Sequence, residues 1–98
     1  MATAHALCSA EIDAIREMFS EISSVDSIFV NQRQDTFLVT IVLPEKNYET
    51  EDRVYGIELE LMDKFPNSLF DFNVIALSGR KLTDVVTPSG QVVFYRAA

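Results

Sequence analysis

Between Thr50 and Leu77 the chain reads TEDRVYGIELELMDKFPNSLFDFNVIAL, and this stretch limits the possible folds more than any other. Its first half has helical periodicity. Val54, Ile57, Leu61 and Phe65 recur at three- and four-residue spacing and make one seam, while Tyr55, Leu59 and Met62 make an adjoining one. The combined face is broader than a lone surface helix needs. Thr50 stands in the N-cap position, Glu51 and Asp52 lie where the helix dipole favours negative charge, and Lys64 lies at the opposite pole. Gly56, in the helix interior, costs about 1 kcal/mol relative to alanine and points to close packing. Pro66-Asn67-Ser68 ends the helix. From Leu69 to Leu77 the period drops to two, with Phe70, Phe72, Val74 and Ala76 on one face of a strand. Leu69, Asp71, Asn73, Ile75 and Leu77 take the other. Such a helix covers one face of a sheet, and the strand after it belongs to that sheet.

The upstream half supplies the remaining parts. Ile12, Ile15, Met18, Phe19 and Ile22 form one stripe, which predicts a helix from Ser9 to Ser23 with Ser9 as N-cap and the Ser23-Ser24 pair as its end. Residues 1–8, small and nearly uncharged, read as a mobile lead-in. In Val25–Gln32, Ile28 and Val30 share one face while Ser27, Phe29 and Asn31 share the other. Gln32-Arg33-Gln34-Asp35 is a short polar connection, so the next strand is an antiparallel neighbour. That strand sets Phe37, Val39, Ile41 and Leu43 against Leu38, Thr40 and Val42, and Pro44 closes it. Toward the C-terminus, Leu82–Val86 suggests one helical turn, Thr87-Pro88-Ser89-Gly90 a turn, and Val92-Val93-Phe94-Tyr95 a short edge strand. The order is α-β-β-α-β with a possible short C-terminal strand. The second helix carries the chain between parallel strands. An α+β two-layer sandwich follows, with two helices on one face of a small mixed sheet. Residues 1–98 make a single domain.

Composition narrows the function classes. Eight basic residues against 15 acidic give a net charge of −7, which argues against nucleic acid and anionic lipid as partners. Seven Phe indicate a substantial apolar core. Cys8 is the sole cysteine, so no intramolecular disulfide forms and no thiolate cluster holds a metal. No apolar run approaches the roughly 20 residues of a membrane span, and the N-terminus lacks the pattern of a secretory signal. A cytoplasmic domain is the expectation, with no cofactor.

If both helices cover one face, the other carries a mixed surface. Its apolar members, Phe29, Leu38, Val42, Ile75 and Leu77, are candidate interface residues, because a contiguous apolar patch wants a cover. Either the C-terminal segment folds over this face or a second subunit does, and because a small chain gains much from added burial, a homodimer is expected. Thr40, Asp71 and Asn73 form the polar centre of that face. With Arg80 and Lys81 of the Ser78-Gly79-Arg80-Lys81 loop they are the candidate ligand site, since backbone amides and arginine hold phosphate well.

From Val25 to Leu77 the topology resembles the core of the nucleotidyltransferase superfamily. In that family a Gly-Ser pair and three carboxylates, two of them in an Asp-x-Asp entry to a strand, serve triphosphate and divalent metal. The resemblance places Asp35, which opens the second strand, and Asp71, inside the third, at carboxylate positions. The chain departs from the pattern at two points. Val30-Asn31-Gln32-Arg33 holds no Gly-Ser pair, and Asp35-Thr36-Phe37 lacks the second acid. A hard divalent ion wants several oxygen ligands, so the resemblance implies a catalytically degenerate copy. As simple structural residues, Asp35 is a turn residue and Asp71 a solvated or hydrogen-bonded strand carboxylate. His5 has no frame for general-base work, and Cys8 reads as a small hydrophobe. Phe94-Tyr95-Arg96 could stack on a base but reads better as a packed strand end. Glu51, Asp52, Glu58, Glu60 and Asp63 read as a solvated helix face. No catalytic residue or metal site is assigned. The expected function is a non-enzymatic homodimeric interaction module using its sheet face or edge. The alternative is a degenerate nucleotidyltransferase-like domain that binds nucleotide or phosphate.

Overall fold

The computed structural model describes residues 10–82 and the backbone of residues 91–95. In chain order the elements are α1 (Ala10–Ser20), β1 (Ser27–Arg33), β2 (Thr36–Leu43), α2 (Tyr48–Lys64), β3 (Leu69–Ala76) and β4 (Gln91–Tyr95). The four strands lie in the order β3-β2-β1-β4. β1 is antiparallel to both neighbours, and β2 runs parallel to β3 through the α2 crossover. This is the expected α+β architecture, and the C-terminal strand takes the second edge, beside β1.

Period and burial agree closely in the central strands. Ile28 and Val30 of β1 and Phe37, Val39, Ile41 and Leu43 of β2 are buried in one cluster with Ile12, Ile15 and Phe19 of α1 and Val54 and Leu61 of α2. Both helices therefore cover the same sheet face. Phe70, Phe72 and Val74 of β3 pack against this cluster but are only partly buried.

Element ends differ from expectation for local reasons. α2 begins at Tyr48, capped by Asn47, whose side-chain oxygen accepts from the Thr50 N–H at 3.0 Å. Thr50 is thus a buried first-turn residue and not the cap. α1 ends at Ser20, before the Ser23-Ser24 pair, and the Ser20 hydroxyl donates back to the Glu17 carbonyl at 2.9 Å, the local bond with which serine competes against helix continuation. Two tight turns, Ile22 N–H to the Phe19 carbonyl and Val25 N–H to the Ile22 carbonyl, then lead into β1. The hairpin turns on Gln34 and Asp35 alone, with Arg33 opposite Thr36. Ser9, His5, Cys8 and residues 83–90 lie outside the described residues, as do the side chains of Phe94, Tyr95 and Arg96.

Two expectations for α2 are corrected. Its second seam is not covered: Tyr55, Leu59 and Met62 are exposed, and only the Val54–Ile57–Leu61–Phe65 side meets the core. Gly56 is not a close-packing site, since a Cβ built there meets no atom within 4 Å. Gly56→Ala is therefore expected to stabilise the domain by about 0.5–1 kcal/mol, through helix propensity and a less flexible unfolded chain. Urea unfolding followed by far-UV circular dichroism checks this, and a loss of stability would restore the close-packing explanation.

Candidate functional site

β3 lies at the sheet edge because the hairpin places β1 on one side of β2 and the crossover places β3 on the other. Its register with β2 runs from Thr36 opposite Leu69 to Leu43 opposite Ala76. Just past the strand, the Leu77 N–H donates to the Leu43 carbonyl at 2.8 Å and the Ser78 N–H to the Pro44 carbonyl at 2.9 Å. Since Leu77 points its N–H at β2, strand alternation turns the backbone groups of Asp71, Asn73 and Ile75 toward β2 as well. Those of Phe70, Phe72, Val74 and Ala76 point outward from the sheet.

One of these outward groups is already occupied. Ser78 (φ 52°) and Gly79 (φ 85°) turn the chain back, and the Arg80 guanidinium donates to the Ala76 carbonyl at 2.7 Å and the Leu77 carbonyl at 2.8 Å. Arginine here blunts the C-terminal end of the edge, a common protection for an open strand. Among the described residues, the open part runs through Phe70, Phe72 and Val74.

Above that open part stands an aromatic cluster. The Phe70 ring stacks on Phe72 at 5.4 Å and on Phe37 at 5.6 Å, and tilts against Phe65 at 6.4 Å. Phe72 in turn meets Phe19 edge-on at 6.4 Å. Phe19 and Phe37 are buried, whereas Phe70 and Phe72 keep part of their surface in water. On the other side of the strand Leu69 is 58% exposed, and Asp71 and Asn73 are exposed too. The whole strand from Leu69 to Ala76 carries a single charge, on Asp71.

The residues singled out from sequence divide as follows. Thr40, Asp71 and Asn73 do come together, lining with Leu38 an open groove of about 440 Å³ on the face away from the helices. Arg80 and Lys81 are not in its lining, and Arg80 is engaged with backbone carbonyls as described. Asp35 lines a different cleft of about 570 Å³, with Glu11, Gln32 and Ser68. There the Ser68 hydroxyl donates to the Glu11 carboxylate at 2.6 Å and ties α1 to the start of β3. Asp35 precedes Thr36, which faces Leu69, whereas Asp71 faces Leu38. That offset of three residues separates the two backbone positions by roughly 10 Å along the strand, and the two side chains line different clefts. Among the described residues no group of three His, Cys, Asp or Glu side chains could hold a metal.

Of the interface candidates, Val42 is fully buried, together with its cross-strand partner Ser27, while Phe29, Leu38, Ile75 and Leu77 are partly buried. The face away from the helices is therefore closed at the end where β1 begins and β2 finishes. Leu69, absent from those candidates, is the large apolar residue most open to solvent on β3. Its signal was available: it is the apolar residue next to the loop on a strand that the crossover forces to the edge.

Comparison of the sequence with models of known protein families finds no match, and comparison with curated proteins finds none. The function has to be argued from geometry.

Glu58 corrects the solvated-face expectation for α2. It is 8% exposed, makes no hydrogen bond or ion pair with the described residues, and its pKa is raised above 4.5 because burial penalises the charged form. The unfolded chain thus releases this proton before the folded one does. Glu58 costs nothing at low pH and destabilises the fold increasingly as pH climbs from 4.5 through the raised folded-state value. Glu58→Gln is expected to stabilise the domain by on the order of 1 kcal/mol at pH 7 and by almost nothing at pH 4. Urea titrations of both chains across that range check it. A constant difference at all pH values would show that ionisation is not the cause.

Proposed function

We propose that this chain is a non-enzymatic interaction module that works as a homodimer, joined edge to edge through β3. The observation that carries this is the open edge itself, where outward backbone groups of Phe70, Phe72 and Val74 lie under partly buried aromatic rings that keep some surface in water. An antiparallel copy of β3 would pair those backbone groups and cover the rings in one step, extending two four-stranded sheets into one of eight. The low charge of the strand supports self-pairing, since a chain with net charge −7 meets its copy most easily where carboxylates are scarce. With Arg80 on the Ala76 carbonyl, the register that uses the free groups is centred on Phe72. It sets Phe70 against Val74, Leu69 against Ile75, and Asp71 against Asn73 of the second copy. No described helix is long and apolar enough to cross a membrane, and a reducing cytoplasm suits the single-cysteine composition.

Size-exclusion chromatography with light scattering tests the proposal. A mass of twice 11.0 kDa at high micromolar concentration is expected, and a strict monomer there overturns it. The gathering of Thr40, Asp71 and Asn73 in one groove favours a second reading, a nucleotide- or phosphate-binding remnant of the nucleotidyltransferase type. Thermal-shift measurements with nucleotides and Mg²⁺ test that one, and the absence of any shift removes it.

A further inference from the structure

α2 carries a second, separate apolar surface. Tyr48, Tyr55, Leu59 and Met62 are 75%, 63%, 53% and 44% exposed. Their spacings of seven, four and three residues place them within about 60° of one another around the helix, in a stripe roughly 21 Å long. They face away from Thr50, Val54 and Leu61, which the helix buries. An ordinary surface helix shows polar residues there.

We propose that this stripe docks a basic amphipathic helix of another protein. The choice of occupant rests on charge. At 100° per residue, Glu51 borders the stripe on one side and the exposed Asp52 and Asp63 on the other, while Glu58, which lies beyond Glu51, is buried and takes no part. The helix's own cations, Arg53 and Lys64, fall on the far side. Among the described residues the single basic group at the stripe is Lys46, before the helix, whose ammonium sits 5.0 Å from the centre of the Tyr48 ring and 3.3 Å from the Glu51 carboxylate. An apolar stripe railed by carboxylates complements a helix with apolar residues at heptad spacing and Lys or Arg on its flanks, the arrangement that sets partner choice in paired helices. Lys46 already shows the chemistry in miniature, a cation held between an aromatic face and a rail carboxylate.

The same rails exclude the other occupants. A second copy packed α2 against α2 would oppose carboxylate to carboxylate along the whole seam, a like-charge arrangement that selects against self-pairing. An anionic bilayer is repelled by the same groups, whereas helices that lie in membranes carry Lys and Arg on their polar face. The surface is distinct from the β3 edge, so either proposal can fail without the other.

The probe is a synthetic 18-residue helix with Leu at heptad positions a and d, Lys at e and g, and one Trp. Because the protein contains no Trp, the peptide's fluorescence reports binding directly. The full chain is expected to bind it with micromolar affinity and to bind the same peptide with Glu at e and g at least tenfold more weakly. Asp52→Lys with Asp63→Lys should invert that preference. Leu59→Ser with Met62→Ser should weaken the Lys peptide at least tenfold while leaving the circular dichroism spectrum unchanged, since both side chains are exposed. Failure of the wild-type chain to bind the Lys peptide below about 1 mM overturns the proposal. So does equal binding of the two peptides, insensitivity to the Ser pair, or capture by phosphatidylserine vesicles in place of the peptide.

Discussion

Phe19→Ala is expected to cost the domain about 4 kcal/mol, the common range for truncating a fully buried phenylalanine being about 3–5 kcal/mol. The side chain is completely inaccessible and holds α1 against the sheet in the same cluster as Ile15, Val39 and Leu61. It is also the buried edge-on neighbour of Phe72, so its removal opens a cavity beneath β3, where burial is thinnest. For a domain whose whole stability is about 5–15 kcal/mol, that loss lowers the melting temperature by tens of degrees. Far-UV circular dichroism in urea measures it. If the alanine chain does not fold, Phe19→Leu fills most of the volume and is expected to lose less than about 1.5 kcal/mol. A loss under 1 kcal/mol for alanine would mean that α1 is not held by this ring.

The elements and their inward faces were readable because the hydrophobic period changes where the structure changes. Ile28 and Val30, then Phe37, Val39, Ile41 and Leu43, are buried as alternation requires. Helix starts were harder, since Asn47 and Thr50 are both competent caps three residues apart. Which one serves depends on how far the chain runs after Pro44 before it can turn over the sheet. The width of α2's buried face was overestimated for a related reason. Periodicity shows that Tyr55, Leu59 and Met62 adjoin the inner seam, but only the docking of the helix decides how much of the arc the sheet covers. Glu58, at the border of the two seams, went from surface to buried with the same rotation.

The candidate site shows a similar split. Strand alternation and parallel pairing bring Thr40, Asp71 and Asn73 to one face, and both were legible in the sequence. The fate of Arg80 was not. Its guanidinium is turned back on Ala76 and Leu77 by a Ser78-Gly79 bend with positive φ at both residues. Nothing in a four-residue loop of small and cationic residues distinguishes that clamp from a phosphate cradle. Once Arg80 caps the Ala76 carbonyl, the loop ceases to be half of a ligand site and becomes the boundary of the open edge.

That boundary makes the homodimer register testable to the residue. With pairing centred on Phe72, Asp71 of each protomer lies across from Asn73 of the other, so the two-fold axis generates the contact twice. Asn73→Asp should therefore place two pairs of like charges face to face. Each such cross-strand pair costs roughly 0.2–1 kcal/mol, so the dissociation constant should rise by about 2- to 30-fold, and more at low ionic strength. Asn73→Lys should move it by a similar factor the other way, because each lysine then meets Asp71. Asn73 is exposed on an edge strand, so neither change should alter monomer unfolding by more than about 0.5 kcal/mol. Sedimentation equilibrium at two salt concentrations reads both effects. The alternative centre at Asp71 would oppose the two Asp71 carboxylates directly and bring Asn73 against Leu69. In that case Asp and Lys at position 73 would not act in opposite directions. A dimer indifferent to both substitutions would not be built on this edge at all, and its contact would have to be sought on the face that carries Leu38 and Ile75.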